Sequence, residues 1–220
     1  MPDDKMQPPS SDPTGDQSVT GKSPQHEESW WVEALKTVGL SLVLAFGIRT
    51  FVAEARYIPS GSMEPTLQIN DRLIVDKMGY RFHLPERGDI VVFNPTDALI
   101  KDGFKDAFIK RIVGLPGDEV AIENGKVYIN GRPLQENYLP SGVETTIDTC
   151  NGQAFLSQPQ KVPPQAYLVL GDNRDNSFDG RCWGFVPQKN IIGRASIRFW
   201  PIDRAAFIPA GEPGQPVTNP

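Results

Sequence analysis

Between Trp30 and about Val52 the chain carries a stretch with no polar face to offer to water. Two tryptophans open it, Thr37 to Ile48 is a run of twelve residues without a charge, and Leu40, Leu42, Val43, Leu44, Phe46 and Ile48 dominate its centre. Spaced in this way, apolar side chains fall on all sides of a helix, which suits a membrane span or anchor better than an amphipathic surface helix. The uncharged run is shorter than the roughly 18 residues that mark a span unaided. Adding Trp30–Lys36 and Arg49–Val52 reaches the required length, with Lys36 and Arg49 snorkelling and the tryptophans at the interface. Glu33 fits less comfortably. A cleaved signal peptide is the poorer reading, because the preceding tail is long and acidic rather than short and basic. The segment therefore predicts one transmembrane helix over residues 30–53. Flanking charge leaves its orientation open, since Lys22 and Lys36 precede it and Arg49 and Arg56 follow it.

Residues 1–29 are rich in Pro, Ser, Asp, Gln and Gly and predict a disordered polar tail, having too few apolar side chains to offset the entropy of ordering. Residues 1–36 hold three Lys/Arg against seven Asp/Glu, so most of the net charge of −5 belongs to that tail. Nucleic acid is excluded as a partner on this balance. The two histidines are His26, in the tail, and His83, in an expected loop. A Ser-His-Asp triad thus has one poor candidate, and a histidine-rich metal site has none. Two cysteines, Cys150 and Cys182, allow either a single disulfide or two free thiols.

Beyond the apolar segment the periodicity changes to that of strands. Arg72–Asp76, Asp89–Phe93, Phe108–Gly114, Glu119–Ile122, Lys126–Ile129, Tyr167–Leu170 and Ile191–Phe199 are short β-branched or alternating runs. Asn124-Gly125 predicts a two-residue hairpin turn between the fourth and fifth. Few helical patterns intervene, residues 131–166 predict a long loop or irregular β excursion, and residues 209–220 predict a flexible tail. A mainly β domain is expected over 54–208.

Three segments could carry chemistry. Tyr57-Ile58-Pro59-Ser60-Gly61-Ser62-Met63-Glu64-Pro65-Thr66-Leu67 sets a serine between residues that restrict or permit special backbone angles, which can hold a hydroxyl in one exposed orientation. In Phe108–Gly114, side-chain alternation puts Lys110 on a face with Phe108 and Ile112, where desolvation depresses an amine's pKa and lets it act as a base. Arg111, on the other face, stays charged at any ordinary pH. Gly171–Arg181 is dense in Asp and Asn; Arg174 and Arg181 are expected to satisfy its carboxylates, which argues against a bound cation.

Together Ile58–Leu67, Phe108–Asp118 (FIKRIVGLPGD) and Gly171–Pro187 (GDNRDNSFDGRCWGFVP) resemble, in order and nearly word for word, the signature boxes of bacterial type I signal peptidases. With the apolar segment the resemblance covers about residues 30–200. It implies a signal-peptidase-like catalytic domain of antiparallel sheets behind one membrane helix, on the trans side of the membrane, without metal or cofactor. Its partners are the lipid bilayer and precursor proteins, whose signal peptides it removes; the oligomeric state stays open. By position in the boxes, Ser62 resembles the family's nucleophile and Lys110 its general base. Ser60 resembles the oxyanion-hole hydroxyl beside the Ser62 N–H, and Ser177 the hydroxyl that orients the lysine. Asp179 and Arg181 look like the structural ion pair, while Ile58, Pro59, Met63, Leu67, Phe108 and Ile109 match substrate-pocket positions. Phe108 and Cys182 depart from the family pattern, since an aromatic with a hydroxyl often stands there. A self-cleaving Ser/Lys autoprotease, or a membrane-tethered β domain that only binds exported chains, is the alternative.

Overall fold

The computed structural model describes residues 30–147, 150 and 154–211. The tail expected at 1–29, and all but the first three residues of that expected at 209–220, lie outside the described residues. Helix α1 runs Trp30–Gly47, buries none of its side chains, and has a mean hydropathy of 1.3 over 18 residues. At the helical rise that is about 27 Å, close to the thickness of a bilayer's hydrocarbon core. Length and composition thus suffice to cross a membrane. The helix stops short of residue 53: one π-type turn, Ile48–Val52, is closed by the Ala53 N–H on the Ile48 carbonyl. Strand β1 (Ala53–Tyr57) begins there and finds its hydrogen bonds in a sheet instead.

The domain that follows is mainly β, and all its strand pairs are antiparallel. β2 (Arg72–Asp76), β3 (Ile90–Phe93), β4 (Phe108–Gly114), β9 (Ala166–Leu170), β10 (Val186–Pro187) and β11 (Ile191–Trp200) join β1 in the order β1-β2-β11-β3-β4-β9-β10, with β12 (Ala206–Phe207) on β11. A smaller sheet has the order β7-β6-β5-β8, from β5 (Glu119–Glu123), β6 (Lys126–Ile129), β7 (Arg132–Pro133) and β8 (Gln160–Lys161). The predicted hairpin is β5–β6, and its turn residues Asn124 and Gly125 have φ of 49° and 74°, as a turn matched to strand twist requires.

Sequence pattern explains the layering. β3 is buried along its whole length, in keeping with its unbroken Ile-Val-Val-Phe run, because Ile90 packs into one core cluster while Val91 and Phe93 pack into another. β2 alternates, with Leu73 and Val75 inward. Val120, Val127 and Ile129 of the small sheet, with Val162 just after β8, share a cluster with Val113 of β4 and Leu168 and Leu170 of β9. A second cluster, Val91, Phe93, Leu99, Ile112, Tyr167, Val169 and Val186, lies within the large sheet and includes a short helix, α2 (Asp97–Lys101), capped by Thr96. That helix is too short to show a period in sequence.

The excursion at 131–166 is irregular, as expected, yet it is anchored. It supplies β7 and β8, and Cys150 is joined by a disulfide to Cys182 of α3 (Gly180–Trp183). The two cysteines are 32 residues apart. On chain entropy alone, closing a loop of that length stabilises by roughly 3–4 kcal/mol. Cys150→Ser with Cys182→Ser is therefore expected to lower the unfolding free energy of the β domain by about that amount, measured by denaturant titration; an unchanged midpoint would mean that the reduced chain is already constrained there.

Candidate active site

The serine loop is held at its base by Ile58 N–H to Asp71 O and Asn70 N–H to Ile58 O, each 2.9 Å. Inside it, Met63 and Leu67 are fully buried with Leu73, Ile90 and Ala195, and Ile58 is 2% exposed. Ile58, Met63 and Leu67, expected to wall a substrate pocket, are packed into this cluster, against which Ile109 also lies. They plug the loop into the core, and their burial leaves Ser60 and Ser62 on its open side.

Lys110 reaches Ser62 from β4. Its Nζ donates to Ser62 Oγ at 2.7 Å and to its neighbour's carbonyl, Ile109 O, at 2.9 Å. The side chain is 3% exposed, with the Phe108 ring centroid 5.7 Å from Nζ. Burial pushes its pKa down from 10.5 to about 8, a shift limited by the charges of Asp179 and Asp172 and reinforced by Arg181. A neutral amine at this separation can accept a proton from the serine hydroxyl.

The Gly171–Arg181 loop closes the site from the other side. Asn173 N–H bonds Ser62 O at 3.2 Å and Asn173 Nδ2 bonds Gly61 O at 3.0 Å. Gly171 is needed for this approach, because a Cβ there would stand 2.4 Å from Ser62 O and 2.1 Å from Ser177 Oγ. Ser177 is buried and its hydroxyl has no hydrogen-bond partner among the described residues; Lys110 is not bonded to it. Asp179 and Arg181 form a fully buried pair, with Nε–Oδ1 at 2.8 Å and Nη2–Oδ2 at 2.9 Å, and Asp179 also accepts from the Gly171 N–H. Arg174 does not serve its own loop's carboxylates as expected. It reaches Glu136, Thr145 and Tyr138 of the excursion, while Asp172 pairs with Arg111 at 2.6 and 2.8 Å.

A groove of about 690 Å³ runs over this pair, lined by residues 59–62, 103–110, Asn176 and Phe178. Pro59, Phe108 and Ile109 therefore do face it, Ser60 is exposed on its wall, and Phe104 and Phe178 add two rings 5.8 Å apart. The segment 103–107 and these two phenylalanines were missed in the sequence. Neither segment nor ring carries a local pattern pointing at the serine. Pairing of β4 with β9 stops at Arg111, which leaves one backbone edge of Phe108–Lys110 without a strand partner among the described residues.

A β scaffold that presses a serine hydroxyl against a buried, acidified lysine has the geometry of serine hydrolases whose base is an amine. A family model described as signal peptidase, peptidase S26, matches residues 31–200. The chain is 58% identical to the probable signal peptidase I-2 of Synechocystis over 82% of its own length and 78% of that protein's. It is 54% identical to signal peptidase I of Leptolyngbya laminosa, covering 84% and 85%. A solved signal peptidase I from Enterococcus faecalis is 31% identical, covers 52% of this chain and 98% of its own, and superposes with a TM-score of 0.40. The chain belongs to the signal peptidase family, peptidase S26, and is a serine peptidase of that family.

Gly171→Ala is expected to force Ser62 and Ser177 away from Lys110 and admit water, so the lysine pKa should climb from about 8 towards 10.5. Competitive acetylation of Lys110 across pH, read by mass spectrometry, measures it. An unchanged midpoint in a folded variant would show that the loop tolerates the methyl group.

Proposed function

We propose that this chain is a membrane-anchored endopeptidase that removes signal peptides from exported precursors, with Ser62 as nucleophile and Lys110 as general base. The observation that carries the reading is the 2.7 Å contact between Ser62 Oγ and a lysine 3% exposed. In the neutral form of Lys110 the direction of that bond reverses: the hydroxyl donates to Nζ, and the proton passes to the amine as Oγ attacks the scissile carbonyl. The Ser62 N–H and the Ser60 hydroxyl receive the oxyanion. The lysine then protonates the leaving amine, and water activated by the same group cleaves the ester.

The substrate lies extended along the unpaired edge of Phe108–Lys110, where main-chain bonds give affinity and the groove wall selects side chains. Pro59, Phe108 and Ile109 offer apolar contacts and Phe104 and Phe178 narrow the space, which suits small apolar residues immediately before the scissile bond and two positions earlier. In an extended strand those two positions face one side, and the residue between them points away. This is the Ala-x-Ala pattern of secretory cleavage sites. The chain is anchored once, through α1, with its β domain on the trans side of the membrane, where translocated cleavage sites emerge. Ser177 sits behind the pair, and Asp179 with Arg181 holds the loop that carries it.

Full-length protein in detergent, incubated with a precursor, tests the assignment. Wild type should cleave it; Ser62→Ala should not, and Lys110→Arg should not either, although it keeps the charge, because guanidinium does not release its proton at working pH. Activity of either variant within tenfold of wild type rejects the pair.

The wild-type rate should rise about tenfold per pH unit below pH 8 and level off above it, since only the deprotonated amine is active and its pKa is about 8. A flat profile from pH 6 to 10 would remove Lys110 as base. Precursors with Phe or Asp at the residue before the bond should be cut on the order of 10²-fold more slowly than those with Ala, because a bulky group displaces the carbonyl from Ser62.

A further inference from the structure

We propose that Asn173 is a positioning residue which sets the direction of the Ser62 N–H, and so builds the backbone half of the oxyanion hole. The inference rests on the reading of Ser62 as nucleophile. Its starting point is that two successive peptide groups, on either side of Ser62, are both held by one residue from a loop more than a hundred positions away. Asn173 Nδ2 donates to Gly61 O at 3.0 Å, and Asn173 N–H donates to Ser62 O at 3.2 Å.

The geometry of a single peptide group then does the rest. Among the described residues the cis bonds are Glu64–Pro65 and Trp200–Pro201, so the Gly61–Ser62 peptide is trans. In a planar trans unit the C=O and N–H point in opposite directions and cannot turn independently. Holding Gly61 O towards Asn173 therefore aims Ser62 N–H away from it. That N–H donates to no protein acceptor among the described residues, as a group reserved for a ligand would. Fixing the next peptide group as well restrains φ and ψ of Ser62 together, and the 2.7 Å contact with Lys110 Nζ holds its χ1, so Oγ and the N–H keep one mutual orientation.

Two alternatives for this role are weaker. Glu64 N–H also bonds Gly61 O, at 3.1 Å, but it belongs to the same loop and moves with it. Ser60 shares the wall of the groove but is exposed. Asn173, in contrast, sits in a frame fixed elsewhere: Asn176 N–H bonds its carbonyl at 3.0 Å, and Arg174 Nε bonds Gly171 O at 3.0 Å. The residue type also fits. An amide donates without carrying charge, whereas a charged donor here would add to the field at Lys110; an aspartate would set oxygen against the Gly61 oxygen.

The test uses the full chain in detergent with Ser62→Ala, Asn173→Ala and the isosteric Asn173→Asp. Asn173→Ala is expected to lower kcat about 10- to 100-fold, less than outright deletion of an oxyanion donor costs, with KM within twofold and the midpoint of the pH–rate profile unmoved. Affinity for a peptidyl boronate, whose tetrahedral adduct places an oxygen where the oxyanion forms, should fall by the same factor as kcat. Affinity for the matching product peptide should stay constant. Asn173→Asp should lose at least as much in kcat. A kcat for Asn173→Ala within twofold of wild type overturns the inference, as does a loss shared equally by the product peptide. If neither variant folds, Asn173 belongs to the architecture of the loop and the inference is rejected. Should Ser62→Ala itself cleave, the reading of the site falls instead, so the two failures are distinct.

Discussion

An ammonium moved from water into a protein interior loses hydration worth several kcal/mol, and Lys110 makes that transfer with one hydroxyl and one carbonyl as its hydrogen-bond partners. Those two acceptors do not replace the lost solvation, so the neutral amine becomes accessible near pH 8. Much of the surrounding structure can be understood as what keeps the lysine both buried and unpaired. β3 and β9 flank its strand, Phe108 lies beside its amine, and the serine loop is drawn down over it by Met63 and Leu67.

Acidic groups near such a lysine threaten the arrangement, since a carboxylate in contact would restore the charged form. Asp172 and Asp179 both raise the pKa of Lys110, yet neither bonds it. Each is matched instead to a guanidinium: Asp172 to Arg111, whose plane also stacks 3.9 Å from the Tyr138 ring, and Asp179 to Arg181. Buried pairs of this kind add little net stability compared with apolar packing, but breaking one leaves a charge uncompensated at a cost of about 3–5 kcal/mol. Their use here is to place carboxylates near the lysine without giving it a partner. Arg174 extends the same network, binding Glu136 and Thr145 so that the irregular excursion is fastened behind the loop that carries Ser177.

The sequence alone determined what local chemistry can dictate. An apolar run without a polar face requires a nonaqueous or buried setting, and it became a helix, although one that passes at Gly47 into a π-type turn, after which Ala53 enters the sheet. Asn124-Gly125 allows positive φ at both turn positions and so specified its hairpin. Ser62 and Lys110 could be singled out because a constrained serine and a lysine on an apolar strand face are each local patterns. Tertiary structure decided everything that depends on two distant segments meeting. Whether Cys150 and Cys182 pair is a matter of Cα separation, which their spacing does not reveal. Which way the loop is turned decides how deeply the apolar residues beside a serine are buried, and Ile58, Met63 and Leu67 ended in the core. Arg174 found its carboxylate in the excursion rather than in its own loop, and Asn173 found two carbonyls in the serine loop, because hydrogen-bond partners are chosen by proximity in space.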